Sequence, residues 1–271
     1  MDNEIRIPKK LIEVGLPLDD INAAAKREKH IRKGHPSTFH LWWARRPLAT
    51  CRAILFAQLV NDPGSTRDWH KDKSEEQVDI ERKKLFEIIR DLVLWENLNN
   101  EEVLGRARDA ILESWRETCE LNKGRAEFDP NRLPDFHDPF AGGGSIPLEA
   151  QRLGLKPIAT ELNPVAVTIN KAMLEIPSLF TNYPPVCPDP DSSSLKALEY
   201  NWISATGLAE DVRRYGEILS QKAFEIIGHF YPNIKLHESY GGREATTLAW
   251  LWSRTVASPN PIAKSTHVPL L

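Results

Sequence analysis

The chain has 271 residues, with 35 lysines and arginines against 38 aspartates and glutamates. That length allows one large α/β domain or two small ones, and the 41% of hydrophobic residues is typical of a globular chain rather than a disordered one. No apolar run reaches the roughly 18–20 residues of a membrane span, and the first residues lack the apolar core of a signal peptide. We therefore expect a cytoplasmic protein with no membrane partner.

The N-terminal segment, 1–61, is predicted to be helical at both ends. Apolar spacing indicates short amphipathic helices broken at Gly15 and Pro17. A further helix is predicted from Pro47 to about Val60, because proline is favoured in a first helical turn.

Residues 26–46, between these helices, hold the strongest charge asymmetry of the chain. Seven lysines and arginines face only Glu28, and histidines and the pair Trp42–Trp43 are interleaved with them. Cations of this kind bind nucleic-acid phosphates, and exposed tryptophans stack on bases. The alternative is a solvated charged face over tryptophans that belong to the core.

Residues 62–134 are predicted to be a helical insertion. Apolar residues recur at helical spacing over 80–94 and over 103–119, which indicates a helical hairpin.

Residues 135–256 begin with a strand, a glycine loop, a helix and a second strand, which predicts a βαβ-like unit. Farther along, the pattern predicts a helix over 195–229 and a strand over 246–256. Residues 257–271 are predicted to be an irregular tail.

The glycine loop DPFAGGGS, at 138–145, is the most informative stretch. Three glycines allow the backbone to turn tightly and to approach a ligand, and the helix that follows favours an anionic or polar group at its N-terminus. Glu161 follows about 20 residues later, the position from which an acidic side chain accepts hydrogen bonds from a ribose. A strand, a glycine loop, a helix, a second strand and an acidic residue in this order predict a site for a nucleoside cofactor. Neither GxxxxGK[ST] nor GxGxxG is present, so the residues alone do not say which cofactor.

These residues carry a resemblance to a known family. DPFAGGGS followed by ATELNPVAV resembles the cofactor motifs of the S-adenosylmethionine-dependent amino-methyltransferases of DNA. Together with IPKKLIEVGLPLDDIN, KHIRKGHPSTFHLWWARRPLA and AWLWSRTV, they are similar to the adenine-specific DNA methylases that have an N-terminal domain of unknown function and a zinc ribbon.

The resemblance implies an α/β fold of the Rossmann-like S-adenosylmethionine-dependent methyltransferase type, incomplete in this chain and with a helical insertion. It implies S-adenosyl-L-methionine as cofactor and DNA as partner. The cofactor-binding residues that it implies are Asp138, Phe140, Ala141, Gly142, Gly144, Glu161 and Asn163. Candidate contacts to nucleic acid or to the methionine end of the cofactor are Lys33, His35, Trp43, Arg45 and Arg46.

Two features depart from this family. Its catalytic motif [DNS]PP[YFW] is absent: the only Pro-Pro pair lies in Asn182-Tyr183-Pro184-Pro185-Val186, which we interpret as a rigid connector, so no catalytic residue is assigned. Where relatives carry the cysteines of a zinc knuckle, this chain has Ser258 and Ala263, which cannot replace thiolates on zinc. No metal is therefore expected.

The sequence therefore predicts the cofactor-binding part of an adenine-specific DNA methyltransferase, truncated or split and inactive alone. A second chain that carries the catalytic half would complete it. The alternatives are a non-catalytic DNA-binding or assembly module that kept the fold, and an RNA methyltransferase.

Overall fold

The protein is described by a computed structural model, which covers residues 5–65, 73–187, 202–247, 249, 251–263 and 266–270. Helices and strands are mixed, as an α/β chain requires, and each sheet among the described residues has two strands. The chain divides into two compact units, Met1–Phe180 and Thr181–Leu271. No helix in the described ranges is both long enough and apolar enough to cross a membrane.

The first unit is mainly helical. Its strands are β1 (Phe136–Asp138) and β2 (Pro157–Ala159), and a π-helical turn covers Lys171–Glu175. Its α-helices are α1 (Leu18–Glu28), α2 (Pro36–Phe39), α3 (Leu48–Leu59), α4 (Glu75–Val93), α5 (Glu101–Leu121), α6 (Ser145–Arg152), α7 (Pro164–Asn170) and α8 (Ile176–Leu179).

The helices predicted from apolar spacing at 47–60, 80–94 and 103–119 are confirmed as α3, α4 and α5. Both α4 and α5 begin earlier than the spacing indicates, because a polar side chain caps each N-terminus. Ser74 Oγ accepts the Gln77 N–H at 3.2 Å, and Asn100 Oδ1 accepts the Glu102 N–H at 3.1 Å.

Helix α3 is the centre of the first unit. It buries side chains around most of its circumference, Phe56 and Ala53 among them, and exposes one stripe that contains Ile54 and Gln58. Residues from α1, α4, α5 and α6 belong to the same hydrophobic core. The predicted boundaries 1–61, 62–134, 135–256 and 257–271 remain predictions, and the helices on both sides of residues 61 and 134 share this core.

The core also contains charged side chains. Arg52 on α3 and Glu149 on α6 are 1% and 0% exposed, and Arg52 Nε lies 3.1 Å from Glu149 Oε2. Arg152 Nε lies 3.2 Å from the same oxygen. Burial raises the pKa of Glu149 to about 7, against the opposing effect of the two guanidinium groups.

This raised pKa predicts a pH dependence of stability. Between the ordinary pKa of a glutamate and about 7, the folded state holds a proton on Glu149 that the unfolded state has released. The contribution of Glu149 to the free energy of unfolding is therefore largest at low pH and falls as the pH rises through this window. Urea unfolding of the wild type and of Glu149→Gln between pH 5 and 8 measures it. We expect the wild type to lose stability relative to the variant as the pH rises; a constant difference would contradict the prediction.

Strands β1 and β2 are parallel, with Phe136 opposite Pro157 and Asp138 opposite Ala159. Helix α6 connects them, so the predicted strand, glycine loop, helix and strand are confirmed in this order. The carboxyl ends of both strands therefore lie at the same edge, where the glycine loop and Glu161 follow them.

The second unit contains the long helix α9 (Thr206–Ile227) and two short antiparallel pairs. The predicted helix 195–229 is confirmed over Thr206–Ile227, but residues 202–205 are not helical, and residues 195–201 lie outside the described residues. The predicted strand 246–256 is wrong over most of its described length, where the backbone has no regular pairing, and only its end belongs to a strand. The strands are β3 (Ile234–Lys235), β4 (Glu244–Ala245), β5 (Thr255–Ala257) and β6 (His267–Pro269).

Candidate functional site

The glycine loop between β1 and α6 has a conformation that only glycine adopts easily. Gly142 and Gly144 have φ values of 50° and 76°. A Cβ atom on Gly144 would lie 2.5 Å from Asn170 Oδ1, so α7 and the loop approach more closely than a side chain allows. The loop closes with a hydrogen bond from the Gly144 N–H to the Ala141 oxygen at 2.8 Å.

The carboxylate of Glu161 is tied to this loop. Its Oε2 accepts the Gly142 N–H at 2.8 Å, and its Oε1 accepts the backbone N–H groups of Leu162 and Asn163 at 2.9 and 3.1 Å. These donors, that of Asn163 foremost, lower the pKa of Glu161. Each carboxylate oxygen accepts about two hydrogen bonds. Oε1 is therefore fully used, and Oε2 has room for one further donor.

Three polar atoms around the loop are buried and have no hydrogen-bond partner within the described residues: Asp138 Oδ2, Ser145 Oγ and Asn170 Oδ1. The other polar atoms of two of these side chains hold the loop, since Asp138 Oδ1 accepts the Phe140 N–H and Asn170 Nδ2 donates to the Gly142 oxygen. A buried acceptor or hydroxyl without a partner costs free energy. A polar ligand at the loop would reduce that cost.

The other three cofactor-binding residues implied by the resemblance differ from one another in exposure and in contacts. Ala141 is buried and donates its N–H to the Thr160 oxygen, so it joins the loop to the end of β2. Asn163 caps α7, since its Oδ1 accepts the Val165 N–H at 2.9 Å. The Phe140 ring is 86% exposed and points away from the core.

A cavity of about 350 Å³ adjoins the loop. Ala141, Glu161 and Asn170 line one part of it, and the rest is formed by β2, α6 and the turns that follow α7. Its volume is at the lower end of the range for small-molecule sites.

The basic segment 26–46 exposes most of its cations, including Lys33 and Arg46. Trp43 is 84% exposed and stacks on Trp42 with ring centroids 4.6 Å apart. Trp43 is therefore no part of the core. Arg45 is half-buried, and its Nε and Nη1 are buried without a hydrogen-bond partner in the described structure. Burial lowers the pKa of Arg45.

His35, also a candidate contact, is engaged within the chain. Its Nε2 lies 2.7 Å from Glu28 Oε1, and its Nδ1 lies 2.6 Å from Ser37 Oγ. Glu28, the single acid of the basic segment, is itself buried. Neither side chain contributes charge to the exposed face.

The Pro-Pro segment packs on α9 in the second unit. A Cβ atom on Gly207 would overlap the Tyr183 oxygen, so only glycine permits this approach. Asp211 accepts the N–H groups of Val186 and Cys187 at 3.0 and 2.7 Å. These contacts hold the Pro-Pro segment against α9. Among the described residues, no group of three or more histidines, cysteines, aspartates or glutamates could hold a metal ion.

Sequence reasoning missed two residues that touch the loop. Asn170 lies on the buried face of α7, beside Ala166 and Ile169. A polar residue at a helical position that is otherwise apolar was the sequence signal that could have identified it. Trp42 lies against Gly142 and Gly143, more than ninety residues away in the sequence. Nothing in the local pattern distinguishes it from Trp43.

Comparison with known proteins gives one match. Residues 15–88, less than half of the chain, match a family described as a protein of unknown function, DUF1156. The matched segment contains α1, α2, α3 and most of α4. No curated protein and no solved structure matches the chain.

Proposed function

We propose that this chain is the S-adenosylmethionine-binding part of an adenine-specific DNA methyltransferase, and that β1, α6 and β2 are the first unit of a Rossmann-like fold. The observation that carries the proposal is the hydrogen bond between Glu161 and the Gly142 N–H at the carboxyl ends of two parallel strands. Nucleoside cofactors bind at this edge of such sheets.

The residues around the loop fit such a cofactor. Glu161 Oε2 retains one acceptor position for a ribose hydroxyl, and the ionised carboxylate is already oriented by three backbone donors. Asp138 Oδ2 and Asn170 Oδ1 are buried acceptors without a partner in the described structure, which suits an ammonium or amino group. When bound, S-adenosylmethionine supplies an activated methyl group. Transfer of this methyl group requires a segment or a second chain that carries the [DNS]PP[YFW] motif.

The basic segment supports DNA as the partner. Arg27 is paired with Glu96, but the other exposed lysines and arginines of the segment have no ion-pair partner in the described structure, and Glu28 is buried, so the segment carries a net positive charge. The exposed ring of Trp43 belongs to the same segment. This combination equally favours the second candidate function, a nucleic-acid-binding module without turnover, because stacking and phosphate contacts require no cofactor.

A thermal-shift experiment with S-adenosylmethionine and S-adenosylhomocysteine tests cofactor binding. At a ligand concentration of 100 times Kd, binding to the folded state alone adds about 2.7 kcal/mol of stability. We expect a rise in Tm for the wild type and none for Glu161→Ala, which loses the ribose acceptor.

Glu175→Ala is the matched control, since Glu175 lines the same cavity and has no hydrogen bond to the glycine loop in the described structure. It should keep the shift. An equal shift for the wild type and Glu161→Ala would contradict the assignment of the site. If the Tm of the wild type does not change with either ligand, cofactor binding is excluded, and the nucleic-acid-binding module is the candidate function that remains.

A further inference from the structure

The Trp42 indole covers the glycine loop. A Cβ atom built on Gly142 would lie 3.0 Å from Trp42 Nε1, and one built on Gly143 would lie 3.0 Å from Trp42 Cβ and 3.1 Å from Cγ and Cδ1. These distances place the indole in direct contact with the backbone of the loop. Gly143 is accordingly buried.

Trp42 belongs to a strap, which we define as residues 36–47, from the start of α2 to the residue before α3. One buried carboxylate holds both ends of the strap. Glu28 accepts the Leu48 and Ala49 N–H groups at 2.8 and 2.9 Å after the strap, and it lies 2.7 Å from His35 Nε2 before the strap. The base of the strap is therefore fixed.

The part of the strap beyond its base is held more weakly. In the described structure, no hydrogen bond joins residues 36–47 to the glycine loop; the hydrogen bonds of Arg45 run to the oxygens of Trp42 and His40, inside the strap. The outer ring of the stack, Trp43, is largely exposed. In this position Arg45 also leaves Nε and Nη1 buried without an acceptor. Unpaired buried donors disfavour the closed position.

We propose that the strap is a hinged cover of the glycine loop, in which Glu28 fixes the two ends and Trp42 closes the site. A ligand reaches the backbone of Gly142 and Gly143 only after the indole has moved away. The loop-binding state is then a minor population of the free protein. This inference rests on the proposed function, since it concerns access to the same site.

The test is isothermal titration with S-adenosylhomocysteine of the wild type, Trp42→Ala and Trp42→Phe. If the open state is 10% populated or less, removal of the closing side chain tightens the apparent Kd by about tenfold or more. Trp42→Phe, with a smaller ring, should fall between the two. The matched control is Leu41→Ala, which removes a side chain of the strap that is 82% exposed and leaves Trp42 on the loop; we expect less than about a twofold change.

A ligand-free measurement accompanies the titration. Amide hydrogen exchange of Gly143, followed by NMR, should be faster in Trp42→Ala than in the wild type and unchanged in Leu41→Ala. If the wild type binds S-adenosylhomocysteine and Trp42→Ala binds it equally or more weakly, the strap does not cover the loop, but the assignment of the cofactor site stands. An equal gain in Leu41→Ala would overturn the role of Trp42. If no variant binds, the proposed function fails as well; unchanged exchange of Gly143 would overturn the cover by itself.

Discussion

Glu149→Leu is expected to lower the free energy of unfolding by about 3–5 kcal/mol, because it leaves a buried guanidinium without its ion-pair partner. Glu149 is the carboxylate nearest to Arg52, with 3.1 Å between Oε2 and Nε, and both side chains are excluded from water. An arginine cannot escape the cost by losing its proton. Urea unfolding at pH 8, followed by circular dichroism, measures the loss.

The double variant Arg52→Met, Glu149→Leu is the decisive control. Replacement of a whole buried ion pair by apolar side chains of similar volume is often close to neutral, so we expect the double variant to recover most of the loss. Arg152, the other cation beside Glu149, is 17% exposed, and its Nη1 donates to the Leu98 oxygen in a hydrogen bond that neither variant removes. A loss below about 1 kcal/mol for Glu149→Leu alone would mean that water or another acceptor already satisfies Arg52.

This ion pair illustrates what the sequence could predict and what it could not. The spacing of apolar residues predicts α3, α4 and α5, since helical periodicity is a local property of the chain. The spacing cannot predict that Arg52 is buried on α3, because the carboxylate that pairs with its guanidinium group belongs to Glu149 on α6, far along the chain.

The same distinction holds at the candidate site. The order of strand, glycine loop, helix and acid predicts that Glu161 and the loop bind one nucleoside cofactor, and the structure places these two elements in hydrogen-bond contact. The strap escaped prediction because Trp42 and Glu28 act through contacts between distant parts of the chain. The strand predicted at 246–256 failed for a related reason: alternation favours a strand, but a strand needs a neighbour to pair with, and most of the described residues there have none.

Gly144→Ala is expected to be the most damaging change to the loop, with a loss of about 1–3 kcal/mol in the free energy of unfolding. The alanine would have to adopt a φ of 76°, and its Cβ would lie 2.5 Å from Asn170 Oδ1 and 3.0 Å from Met173 Cε. Asn170 cannot move freely, because its Nδ2 donates to the Gly142 and Ala166 oxygens. We expect the shift of Tm with S-adenosylhomocysteine to disappear in this variant.

Gly154→Ala separates the effect of backbone strain from the effect of the steric clash with α7. Gly154 has a φ of 88°, similar to that of Gly144, but the nearest atom to its added Cβ is Arg108 Cγ at 3.7 Å, an ordinary contact. This variant therefore pays only the backbone strain of roughly 1 kcal/mol, and the excess loss in Gly144→Ala measures the clash with α7. Equal losses would show that the loop yields to Asn170 without cost. In that case the left-handed backbone conformation at position 144 would by itself explain the glycine there, and the close packing of the loop on α7 would play no part.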